Sequence, residues 1–84
     1  MTAYVFYTAG GPEERDIARF KSELEKAKVD VKLLDADSNE GIRLAELYDV
    51  LARPAVVLAR QDGQVAAKWD QLPLVADISY LANS

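Results

Sequence analysis

Two stretches of the chain carry residues whose types and spacing could do chemistry. The first is YTAGGPEERD, residues 7–16, in which Gly10, Gly11 and Pro12 break an apolar run and Glu13, Glu14 and Arg15 follow. Neighbouring carboxylates can serve as acid and base, but one of them then needs a partner that raises its pKa, and the sequence offers none. Ordinary helix-start chemistry accounts for the pair: each acid near the positive end of a helix is worth roughly 0.3–1 kcal/mol at an exposed site.

The second stretch is DADSNEGIRLAE, residues 35–46. A calcium-binding EF-hand loop needs spaced oxygen ligands, a central glycine, an aliphatic residue and a closing glutamate. Asp35, Asp37, Asn39, Ile42 and Glu46 fit, but Glu40 stands where the glycine belongs and Gly41 comes one residue late. The incoming segment also reads as a strand, where an EF-hand has a helix. A Ca²⁺ site on Asp35, Asp37, Asn39 and Glu46 is therefore the minor reading, and no metal or cofactor is expected. In the main reading Asp37 or Ser38 caps a helix, with Glu40 in its first turn.

Composition removes whole classes of chemistry. The 84 residues include no cysteine and no histidine. Disulfides, thiolate nucleophiles, imidazole bases and the usual zinc and haem ligand sets are thereby excluded. A net charge of −4 with no long basic run argues against a nucleic-acid partner. No apolar stretch nears the ~18–20 residues of a membrane span, and the N-terminus lacks the basic start and apolar centre of a signal peptide. A cytoplasmic protein with a single domain, residues 1–84, is the expectation.

The elements that position these residues follow from hydrophobic periodicity. AYVFY, residues 3–7, and PAVVLA, residues 54–59, are continuous apolar runs, as suits strands buried on both faces. Val29, Val31 and Leu33 alternate with charged residues, and Val65, Ala67 and Trp69 alternate with polar or small ones, as suits edge strands. Asp62-Gly63 between the last two strands is a hairpin turn signal. From Pro12 to Lys28 the spacing of Ile17, Phe20, Leu24 and Ala27 predicts a helix, with Pro12 at its first position. A second helix is predicted over Asn39–Leu51, with Leu44, Leu47, Tyr48 and Leu51 inward. A third starts near Pro73 and buries Leu74, Val75, Ile78 and Leu81. Trp69 and Tyr80 are candidates for the core's rim or for a contact patch. The order is βαβαββα. A right-handed crossover between the first two strands and a hairpin between the last two favour a four-stranded mixed sheet, order 2-1-3-4, with helices on both faces.

That order resembles the thioredoxin/glutaredoxin family. LAELYDVLARPAVVLARQDGQVAAKW, residues 44–69, is similar to the C-terminal half of such a domain: a hydrophobic helix, a proline opening a buried strand, then a hairpin with a glycine turn. The resemblance implies a thioredoxin-like fold with Pro54 as the family's cis-proline. Counted without gaps from Tyr7-Thr8, the family's Cys-x-x-Cys falls on Pro12-Glu13-Glu14-Arg15, and an alanine common after the motif matches Ala18. Both sulfur positions are replaced, by Pro12 and Arg15. Thiol–disulfide exchange needs a thiolate, and this chain supplies none.

What the resemblance implies is a redox-inactive binding module with no enzymatic role. Its groove of Gly10, Gly11, Pro12, Glu13, Glu14, Arg15, Arg53 and Pro54 would take a protein or extended peptide. Arg53 would pair with an acidic group of the partner, with the carboxylate of a glutathione-like ligand, or internally with Glu13 or Glu14. The alternative is a glutathione-binding or degenerate oxidoreductase-type protein. A weaker alternative is a KaiB-like clock regulator, since YTAGGPEE and VLARPAV are similar to that family's segments. RQDGQVAAKW departs from it and continues as a thioredoxin-type hairpin.

Overall fold

The two continuous apolar runs lie side by side at the centre of one sheet. In the computed structural model, which describes residues 1–83, β1 (Thr2–Tyr7) and β3 (Ala55–Ala59) pair antiparallel, with Phe6 opposite Ala55. β2 (Asp30–Asp35) runs parallel to β1 on one side and β4 (Val65–Trp69) antiparallel to β3 on the other. The sheet order is β2-β1-β3-β4, as expected. Every residue of β3 is buried, because both faces of the sheet are covered.

The alternation of side chains along the central strands builds two apolar layers. Ala3, Val5, Val56 and Leu58 face α1 (Glu14–Lys26) and α3 (Val75–Ala82), where they meet Ile17, Phe20, Leu24 and Ile78. Phe6, Leu34, Ala55 and Val57 face the opposite way and are covered by Leu44, Ala45 and Tyr48 of α2 (Asn39–Tyr48). Tyr4 and Tyr48 meet in this second layer with ring centroids 5.8 Å apart. No polar or charged side chain is buried among the described residues. The core is held by apolar packing, with no disulfide to assist it.

The helices are shorter than their periodicity predicts, and the reasons are local. Pro12 lies two residues ahead of α1, in a turn closed by the Glu14 N–H on the Gly11 carbonyl at 3.2 Å. At the other end Lys28 is left-handed, with φ 63°. The Val29 N–H reaches the Leu24 carbonyl and the Lys28 N–H that of Glu25, both at 3.0 Å, which closes the helix without a glycine. α2 ends the same way: Asp49 has φ 57°, and the Val50 N–H donates to the Ala45 carbonyl at 2.8 Å. Asp tolerates this conformation better than most residues.

Three inward assignments are corrected. Leu51 lies beyond the α2 stop and is 91% exposed. Leu47 is 69% exposed, because the inward stripe is Gly41, Leu44, Ala45 and Tyr48, and the next residue round the helix is rotated by about 100°. Leu74 precedes α3 and is exposed. On β4 a register shift between Leu58 and Ala59 interrupts the alternation, so that Val65 is exposed while Ala66 and Trp69 pack on the core. Trp69 therefore belongs to the core's rim, and Tyr80 stands exposed on α3 without it. No helix among the described residues is long and apolar enough to cross a membrane.

Candidate functional site

Three connections meet at one end of the sheet. β1 leaves at Tyr7 beside the point where β3 enters at Ala55, and β2, parallel to β1, leaves there at Asp35. The Ala36 N–H donates to the Tyr7 carbonyl at 2.8 Å, tying two of these exits together. The Gly10–Arg15 bend, the 36–38 turn and Arg53-Pro54 thus share one edge, where open α/β sheets commonly place their sites. The Arg53–Pro54 peptide bond is cis.

The bend is built by backbone chemistry. Gly10 has φ 76°, a conformation that suits glycine. Its N–H donates to Glu14 Oε2 at 2.9 Å, and the Gly11 N–H donates to the Thr8 carbonyl at 3.1 Å. Glu14 therefore does more than place charge at the helix start: its side chain folds back and fixes the bend. Glu13 occupies the N-cap position without a side-chain cap bond. Pro12, Glu13, Glu14 and Arg15 are all exposed and form an open, mostly polar rim.

Arg53 does not pair with Glu13 or Glu14. Its Nη1 lies 3.1 Å from Asp37 Oδ1, so the ion pair joins the segment before β3 to the turn after β2. The same turn explains the calcium-like spacing. Asp35 Oδ1 accepts the Asp37 N–H at 3.0 Å, an Asx turn, and Ser38 Oγ accepts the Gly41 N–H at 3.0 Å as the α2 cap. Asp35, Asp37, Asn39 and Glu46 do not converge, and no acidic cluster able to hold a metal ion occurs among the described residues. Glu40 accepts a 2.9 Å contact from Lys32 Nζ. That hydrogen bond, with the positive charges of Lys32 and Arg43, holds the Glu40 carboxyl below its ordinary range against the opposing effect of desolvation.

Beside this edge lies a groove that periodicity did not reveal. Ile42, Ala45 and Glu46 of α2, Asp49, Val50, Leu51 and Arg53 after it, and Ala36 after β2 line a groove of about 370 Å³. A narrower recess of about 170 Å³ reaches inward to Phe6 from the same segment. The groove exists because α2 stops at Tyr48: the chain turns at Asp49 and leaves Leu51 in solvent. The stop is made at Asp49, and no glycine marks it in the sequence.

No protein-family model matches the sequence, and neither does any curated protein. Among the solved structures to which the chain is similar, two match over almost its whole length. One, described as a malarial protein, is 19% identical with a TM-score of 0.75, over 98% of this chain and 92% of its own. Thioredoxin 1 from the thermophilic eubacterium Thermosipho africanus is 10% identical with a TM-score of 0.73, over 99% of this chain and 91% of its own. At such identities the likeness speaks for the fold alone. With its mixed sheet ordered β2-β1-β3-β4 between helices on both faces, the chain has a thioredoxin-like fold.

Proposed function

We propose that this thioredoxin-like domain is a redox-inactive binding module that docks a protein or extended peptide at the sheet edge formed by Gly10–Arg15 and Arg53-Pro54. One observation carries the reading: three connections converge at that edge around exposed Pro12, Glu13, Glu14, Arg15 and Arg53, with an apolar groove opening beside Arg53. The frame is retained while both sulfur positions hold residues without a thiol, so recognition is the use left to the edge. An extended chain there would find backbone groups and pockets beside the entrance of β3, a mode that needs no sulfur. A cytoplasmic setting and the absence of an enzymatic role belong to the same proposal.

The test is site-specific photo-crosslinking in cells that make the protein, with the photoreactive residue at position 15, at position 53, or at position 60 in the hairpin turn at the opposite end of the sheet. Positions 15 and 53 are expected to capture a common protein that position 60 does not. The purified partner should then lose at least tenfold in affinity on Arg15→Glu or Arg53→Glu. Undiminished binding of that partner to both variants would refute the reading.

A further inference from the structure

We infer that the groove between α2 and the Val50–Arg53 segment seats a partner segment in which a large apolar side chain lies next to lysine or arginine. This rests on the docking reading above and names the chemistry of its partner. The apolar half of the inference comes from exposure. Ile42 and Leu51, which line the groove, are 46% and 91% exposed, and Ala36, Ala45 and Val50 complete an apolar lining between them. Two large aliphatic side chains lining a concavity this size suit an apolar anchor of the kind found in many interfaces.

The charge half comes from which ions are already matched. Arg53 is engaged by Asp37 at 3.1 Å. Lys68, beside the adjoining hollow that Leu51 shares with Asp49 and Asp70, donates an ammonium N–H to the neutral Asp49 carbonyl at 3.0 Å and is the one cation among the described residues that line that hollow. Glu46, Asp49 and Asp70 form no ion pair among the described residues. The rim therefore presents carboxylates in excess around an apolar floor, on a chain whose net charge is already −4. A cationic neighbour to the anchor is attracted and an acidic one repelled, which selects among otherwise equivalent apolar segments.

Amide chemical shifts of the ¹⁵N-labelled full chain test this with two hexapeptide probes. Both carry a central leucine–phenylalanine pair, flanked by lysines in one and by glutamates in the other. The lysine-flanked peptide is expected to move the amides of Ala36, Ile42, Glu46 and Leu51 saturably, with at least tenfold tighter binding than the glutamate-flanked peptide. Glu46→Lys should narrow or invert that preference. Leu51→Ser should weaken binding at least tenfold while the rest of the spectrum reports an intact fold. Equal shifts from both peptides, or no groove shifts from either, would overturn the inference. Shifts confined to residues 8–15 and 55 would overturn it while supporting docking at the sheet edge. Groove shifts with the lysine peptide, alongside a cross-linked partner indifferent to Arg15→Glu and Arg53→Glu, would support the groove and refute the edge.

Discussion

Replacing Gly41 with alanine sets two well-calibrated effects against each other. Gly41 is the third residue of α2, in ordinary helical conformation, and alanine in a helix is favoured over glycine by up to about 1 kcal/mol. The structure opposes that gain. A methyl group at Gly41 would drive into the Asp35 carbonyl oxygen, with the carbonyl carbon at 2.9 Å and Ser38 Oγ at 3.0 Å. The first two are backbone atoms at the end of β2, so no side-chain rotation relieves the contact. Overpacking of this kind costs about 1–3 kcal/mol. Pushing the helix away also stretches the Ser38 cap, worth typically about 1 kcal/mol. The net expectation is a loss of about 1–3 kcal/mol, and in a domain of this size each kcal/mol lowers the melting temperature by about 4–8 °C. Urea unfolding followed by the fluorescence of Trp69, the one tryptophan, reads the change directly, because Trp69 packs against the core. Ser38→Ala in parallel separates the lost cap from the clash. If Gly41→Ala is as stable as the parent or more so, α2 is not seated on the Asp35 carbonyl, and the placement of the groove wall formed by Ile42 and Glu46 falls with it.

The remaining predictions concern charge and sulfur. Arg53→Ala should change stability by less than about 1 kcal/mol in the same unfolding experiment, since both members of its pair with Asp37 are substantially exposed; a larger loss would show that Arg53 holds the fold together. Because Lys32 lowers the Glu40 pKa in the folded state, their interaction stabilises the protein above the ordinary glutamate range and is lost as pH falls through the lowered value. Denaturation across acidic pH should therefore show the deficit of Glu40→Gln shrinking as the pH is lowered, and a deficit that grows would refute the assignment. The parent chain should reduce a small disulfide substrate in the presence of glutathione no faster than heat-inactivated protein does, whereas Pro12→Cys/Arg15→Cys should form a reducible internal disulfide. Failure of that disulfide to form under oxidising conditions would show that positions 12 and 15 do not face one another.

Much of the fold is legible because it depends on patterns that tolerate exchange of one apolar residue for another. AYVFY and PAVVLA read as central strands because both faces are covered, and the structure buries all of Ala55–Ala59 for that reason. The Asp62-Gly63 turn is equally direct: Gly63 has φ 89°, and Asp62 Oδ1 accepts the Gln64 N–H at 3.0 Å. What was not legible lies where a single residue does something its type only permits. Lys28 and Asp49 both end helices in left-handed conformations that glycine would have announced. Nothing in the sequence distinguishes Asp49 from a residue one turn short of the helix end, so Leu51 read as helical and buried. The bulge that turns Val65 outward leaves no residue-type signal either. The candidate site divides along the same line. The Gly10–Arg15 bend is visible as the interruption of an apolar run, and Arg53-Pro54 through the family resemblance of the segment around it, while the pairing of Arg53 with Asp37 depends on how two separate turns approach.

This division bears on how such a frame can keep its shape while its exposed loops vary. The residues that build the two apolar layers, from Ala3 and Phe6 to Leu58 and Ile78, share no position with the exposed Pro12–Arg15 rim. Burial fixes the first set, since truncating a large core side chain costs about 2–5 kcal/mol, a large part of a small domain's stability. Nothing comparable constrains the second set, whose members touch solvent and contribute through the hydrogen bond of Glu14 to Gly10. The α2 stop at Asp49 adds a surface outside both sets: it leaves Leu51 in solvent beside Glu46 and Asp49, at a location that the core does not require. A thioredoxin-like sheet thus supplies a rigid edge on which the loops are free to change, and in this chain those loops present carboxylates and aliphatic side chains.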